Sequence, residues 1–193
     1  MKLNNYRIVE RYDVDKIELA INITAIVVLF LAFFLMGPLF HNGFNPNQWV
    51  LEIFSPQIGI GLIIIRTVIA IVIFLGIIIV HELIHGAFLF AFGRNRPLFG
   101  RKRGCLYAAI PPMTYLSKTE FMISTLSPLV MITITTLVIC RLVSLASVGL
   151  IYYCAVTNIA ASVSDMHQSL WIHKQKKNNK FGFDGKGTIV VQF

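Results

Sequence analysis

Ile77-Ile78-Ile79-Val80-His81-Glu82-Leu83-Ile84-His85-Gly86-Ala87-Phe88-Leu89-Phe90 sets three ionisable side chains inside an otherwise apolar run, and the rest of the reading follows from it. A helix turns about 100° per residue, so His81 and His85 share one face and can hold one metal ion together. Glu82 lies beside that face. In an H-E-x-x-H helix the two imidazoles are zinc ligands, and the carboxylate is placed to take a proton from a metal-bound water. The alternative is a hydrogen-bonded polar cluster between packed helices. Ionisable groups are costly within a membrane and are by default functional there, which favours the metal reading.

Composition says where this helix lives. The chain is 56% hydrophobic and 13% charged over 193 residues, the balance of an integral membrane protein. Hydropathy predicts four spans, at about Ile17 to Phe40, Thr67 to Phe92, Phe121 to Cys140 and Leu142 to Val163, each able to cross a hydrocarbon core of about 30 Å. The apolar run from Ile58 to Phe92 is too long for a single span, so Arg66 is expected at an interface. The fold class expected is an all-α integral membrane protein with about four transmembrane helices and a minor cytoplasmic β element.

The charges orient the spans. Lys2, Arg7, Arg11 and Lys16 precede the first; Arg94, Arg96, Arg101, Lys102, Arg103 and Lys118 follow the second; Lys174, Lys176, Lys177, Lys180 and Lys186 follow the fourth. The remaining connections hold only Arg66 and Arg141. By the positive-inside rule both termini and the central 93–120 segment are cytoplasmic in a multi-pass protein of the cell membrane. The expected organisation is a cytoplasmic N-terminus (1–16), one polytopic membrane domain (17–173) and a cytoplasmic tail (174–193). The net charge of +8 is then a topology signal. Nucleic acid is not an expected partner, because no basic stripe alternates with stacking aromatics. The first span is expected to stay as an anchor, since its apolar stretch exceeds a signal-peptide core and no small-x-small cleavage site follows. Cys105, Cys140 and Cys154 are odd in number and lack a C-x-x-C pair, which indicates neither a disulfide framework nor a thiolate zinc site.

On this topology the motif lies roughly 12 to 18 Å below the cytoplasmic surface. A catalytic zinc needs a third protein ligand and an open fourth position. Asp165 is the choice, because it falls at the cytoplasmic end of the fourth span, on the same side of the membrane as the motif. His167 is the runner-up. Glu120, His173 and Asp184 are weaker, each lying in or against a solvated basic segment, and His41 is excluded as belonging to the opposite face. The segment from Cys105 to Tyr115 is too polar and proline-broken for a span; it is read as a short hairpin or re-entrant stretch, or as an ordinary interfacial loop. The sequence from Thr188 to Phe193 is read as one strand that needs a cytoplasmic partner, with the 105–115 segment as a candidate.

His81-Glu82-x-x-His85-Gly86 in an early span, followed by a late helix ending in Ser162-Val163-Ser164-Asp165, resembles the small bacterial membrane proteins grouped as putative zincin peptidases, distant relatives of site-2 proteases. The likeness extends to Tyr107 through Phe121 and to Leu126-Ser127-Pro128-Leu129. In site-2 proteases the aspartate ligand follows an Asn and two prolines and precedes a Gly; this chain keeps Asn158 but has Ala161, Ser164 and Met166 in that neighbourhood. The resemblance implies a zinc-dependent intramembrane endopeptidase, one zinc per chain on His81, His85 and Asp165, with Glu82 as the general base. Its partners would be the lipid bilayer and a membrane protein or peptide substrate. Two other classes stay open: a catalytically inactive zinc-binding scaffold, which has no need of Glu82, and a metal transporter, which would need a polar path to both faces.

Overall fold

Long apolar runs leave the backbone one way to satisfy its own hydrogen bonds in hydrocarbon, and the chain takes it by folding mostly into helices. The computed structural model describes residues 7–13, 17–40, 44–53, 55, 59–102, 105–143, 145–185 and 187–192. Lys2, Lys16, His41, Arg103, Lys186 and Phe193, which enter the charge, topology and strand expectations, lie outside them.

The helices are α1 (Glu18–Leu35), α2 (Gly37–Phe40), α3 (Pro46–Ile53), α4 (Ile60–Gly93), α5 (Lys118–Leu142), α6 (Leu145–Ala161) and α7 (Val163–Lys174). Among the described residues, α1, α4 and α5 are long and apolar enough to cross a membrane. Their surfaces suit a bilayer: Leu19, Leu35, Ile60, Val72 and Leu142 are each more than 60% exposed, and an apolar surface of this extent is not left bare in water.

Three boundaries differ from expectation. The run containing Arg66 is one uninterrupted helix of 34 residues, about 51 Å long at 1.5 Å per residue, and it starts well before Thr67. Arg66 is carried inside it, with its guanidinium donating to the Glu52 carbonyl beside α3 at 3.4 Å. The fourth apolar stretch forms α6, 17 residues or about 26 Å, near the lower limit for a span. The chain then breaks at Ser162 and restarts as α7, so Asp165 lies in the first turn of a separate helix and not at the end of the fourth span.

Among the described residues the strands are β1 (Arg7–Arg11), β2 (Leu98–Lys102), β3 (Cys105–Ala109), β4 (Leu116–Ser117), β5 (Lys180–Phe183) and β6 (Thr188–Gln192). One antiparallel sheet has the order β1-β6-β5-β4, and β2 pairs only with β3. The expectation that the tail strand pairs with 105–115 is therefore corrected. β6 pairs with β5 (Phe183↔Thr188) and with β1 (Arg11↔Ile189). The reason is local. Asp184 accepts from the Gly187 N–H at 3.1 Å and Gly185 sits at φ +84°, so a tight turn closes the tail on itself at small entropic cost before any distant strand is reached.

Two apolar cores lie at opposite ends. Ala32, Phe40, Phe44, Cys140, Val148, Tyr152, Ala155 and Val156 pack α1, α2, α5 and α6 together, with the Tyr152 hydroxyl donating to the Ala32 carbonyl at 2.8 Å. At the sheet end, Leu89, Ile110, Leu116, Phe121, Ile172, Phe181 and Val190 join α4, α5 and α7 to the four-stranded sheet. Phe181 is fully buried there, its ring centroid 5.6 Å from Phe121 and 6.3 Å from Trp171. Phe181→Ala is expected to destabilise this end by about 3–5 kcal/mol, seen as an earlier unfolding transition when Trp171 fluorescence is followed in detergent micelles.

Candidate metal centre

Between the two cores lies a polar layer. His81 and His85 project from α4 with 4% and 9% of their surface exposed, and Asp165 from the first turn of α7 meets them. His81 Nε2 lies 3.0 Å from Asp165 Oδ2, His85 Nε2 3.4 Å from the same oxygen, and the two Nε2 atoms are 3.1 Å apart.

The far ring nitrogens settle what these atoms are. His85 Nδ1 is 2.8 Å from the Ser124 carbonyl, which can only accept, so Nδ1 carries the proton. Asn158 Nδ2 donates to the Pro128 carbonyl at 3.3 Å, which turns Asn158 Oδ1 towards His81 Nδ1 at 3.0 Å and fixes that ring in the same tautomer. With Nδ1 carrying the proton, each imidazole in its neutral form presents an Nε2 lone pair, and Asp165 presents a carboxylate oxygen, to one point. In that form three acceptors this close repel one another unless a proton or a metal cation lies among them. A tetrahedral zinc with bonds of about 2.0–2.1 Å needs donors about 3.3 Å apart; the donors here fit zinc in kind and in spacing.

Pro128 makes the arrangement possible. In a regular helix the Ser124 carbonyl would accept from the N–H of residue 128, and proline has none. The carbonyl is left open inside α5, where it takes His85 Nδ1 and the Ser127 hydroxyl, the latter at 2.9 Å. Pro128 is itself buried, and its own carbonyl orients Asn158, which is wholly buried. The site role of Asn158 in this structure is thus to hold His81. A proline in an apolar span followed by a late Asn was the available sequence signal, but only the packing of α5 and α6 on α4 connects it to the histidines.

Glu82 is half-buried beside the cluster, with the backbone of Ala108 in β3 next to its carboxylate. The β2–β3 hairpin reaches α4 because Gly86 leaves room: a Cβ there would meet the Phe99 ring at 2.4 Å.

The other candidates are placed elsewhere. His167 is exposed and lies about 200° around α7 from Asp165, so the runner-up ligand faces away from the cluster; its Nδ1 is 2.7 Å from the Tyr12 hydroxyl. Burial, with the Asp165 carboxylate adding to it, holds the Tyr12 phenol above its ordinary range, so the hydroxyl stays protonated. Glu120 closes the capping box that starts α5, accepting from the Ser117 N–H at 2.7 Å. His173 is exposed at the end of α7, and Asp184 pairs with Arg11.

A family model described as putative zincin peptidase matches residues 74–180, more than half of the chain, and the chain belongs to that family. The matched segment contains His81, Glu82, His85, Asn158 and Asp165. No curated protein and no solved structure matches the chain.

Two substitutions test how the rings are held. Asn158→Ala is expected to weaken zinc binding about 10- to 100-fold by freeing His81 Nδ1. Pro128→Ala returns an N–H to the Ser124 carbonyl and is expected to weaken zinc binding about tenfold while leaving helix content unchanged. Competition with a chromophoric chelator measures both.

Proposed function

We propose that this member of the zincin peptidase family is a zinc-dependent endopeptidase that cleaves a membrane-associated protein at a site sunk below the cytoplasmic face. The observation that carries the reading is the convergence of His81 Nε2, His85 Nε2 and one Asp165 oxygen, with Glu82 next to them on α4. Family membership and the resemblance to site-2 proteases support it.

His81, His85 and Asp165 would hold the ion. Bound there, zinc supplies Lewis acidity for activating water and polarising a carbonyl. The protein does the rest. Glu82 accepts the proton of the attacking water and returns it to the leaving amine nitrogen. The apolar walls of α4 and α5 limit water at the site, which strengthens each of these interactions. The substrate must come unwound, because a helix hides its carbonyls. Among the described residues β3 pairs with β2 alone, and Ala108 of β3 lies beside Glu82; an extended peptide added to the open edge would run near the base.

The sheet also bears on orientation. The N-terminal strand, the central segment and the tail meet at the end of the bundle nearer the histidines, which agrees with assigning all three to the cytoplasm on their charges.

Glu82→Gln is expected to keep one zinc per chain and lose at least about 100-fold in cleavage of a fluorogenic single-span peptide with a helix-breaking centre. His85→Ala is expected to lose both metal and activity. Wild-type cleavage rates in Glu82→Gln would sink the assignment of the base; full zinc loading without cleavage in any form would favour the inactive scaffold.

A further inference from the structure

Asp165 comes from α7, which joins α6 through the single residue Ser162. Ser162 keeps helical φ/ψ and i→i−4 bonds on both sides, to the Asn158 carbonyl and from the Met166 N–H, but the regular helix is interrupted there, and a small bend or roll at this joint moves the carboxylate. That movement matters. With a carboxylate about 5 Å from the helix axis, a roll of about 20° displaces it by about 2 Å, ten times the tolerance of about 0.2 Å on a metal–ligand distance.

What grips the outward face of α7 is the segment just after the first residues of β1. Asp165, Ser169 and Ile172 share the inward face, and His167 and Trp171 the outward one. Tyr12, 5% exposed, lies across the outward pair, its ring centroid 5.8 Å from His167 and 5.2 Å from Trp171, with its hydroxyl bonded to His167 Nδ1 at 2.7 Å. The Glu10 carboxylate accepts from Trp171 Nε1 at 2.8 Å and from Gln175 Nε2 at 2.7 Å. The segment is anchored in turn: Glu10 pairs with Val190 in the sheet, and the Tyr12 N–H donates to the Thr188 carbonyl at 2.9 Å.

We propose that Glu10 and Tyr12 form a positioning strap for the metal centre, pressing α7 against α4 and α5 so that the Asp165 carboxylate stays in ligand position. Through the strap, zinc affinity depends on the docking of an N-terminal segment that touches none of the ligands. The inference rests on Asp165 being a ligand of the proposed centre.

The test compares the full chain in detergent as wild type, Tyr12→Phe, Glu10→Ala/Tyr12→Ala and Asp165→Ala. It reads zinc affinity by chelator competition and the visible absorption of the cobalt(II) form, which reports ligand number and geometry. The double variant is expected to bind zinc about 10- to 100-fold more weakly, with its cobalt spectrum displaced towards that of Asp165→Ala and its far-ultraviolet dichroism unchanged. Tyr12→Phe, which keeps the ring in place, is expected to weaken zinc severalfold, and it decides the matter should the double variant lose helicity. Wild-type affinity and spectrum in the strap variants, with both altered in Asp165→Ala, would overturn the strap alone. An unaltered Asp165→Ala would instead overturn the ligand assignment, and the strap with it.

Discussion

Three lone-pair atoms held together at 3.0 to 3.4 Å are the constraint on which the middle of this protein is built. Such a cluster is unfavourable unless a proton or a metal cation neutralises it, and it persists only where neighbouring groups deny each ring an alternative orientation. A missing backbone N–H at Pro128 opens the Ser124 carbonyl to His85. The carbonyl of Pro128 itself then turns Asn158 towards His81. Two adjoining features of α5, one donor removed and one acceptor presented, thus fix the tautomers of both histidines on α4.

The assembly at the sheet end carries a second share of the constraint. α4 delivers its two histidines from one continuous helix, so their relative placement is a matter of helix geometry alone. The carboxylate has no such guarantee. Its helix is short and begins at a break, and it is held by side chains from β1, from β6 through Gln168 and Thr188, and from the start of α5, where Lys118 donates to the His173 and Gln175 carbonyls at 2.6 and 2.8 Å. The sheet packs on Ile172 from the same end. In the proposed strap, a small β element in a mostly helical fold serves to set the angle of one helix.

The same assembly explains why a hydrophilic centre and an apolar exterior coexist. The lipid-compatible surface is spread over the outward faces of α1, α4 and α5, while Ser124, Thr125 and Ser162 near the histidines turn their hydroxyls inward onto helix carbonyls. The β2–β3 hairpin lies against α4 at Gly86, and β3 passes beside Glu82 at Ala108, so a strand edge lies next to the polar layer.

The sequence by itself determined what depends on neighbours along the chain. Apolar run length made the helices legible, and the i, i+4 spacing of His81 and His85 guaranteed a shared face with Glu82 beside it. Asp165 was reachable by an argument from which side of the membrane it occupies, although that argument placed it at the end of a span and not in the first turn of α7. Only the tertiary structure decided the rest. Glu10 and Tyr12 lie more than 150 residues from the side chains they hold, the tail strand chose its partners through a local turn and a distant N-terminal segment, and Pro128 acquired its role only when α4 and α6 were packed against it. Periodicity records which way a side chain points on its own helix; it carries no record of what another helix brings opposite, and here the hydrogen bonds that orient the two histidines, and the grip that orients the aspartate, are all made across that gap.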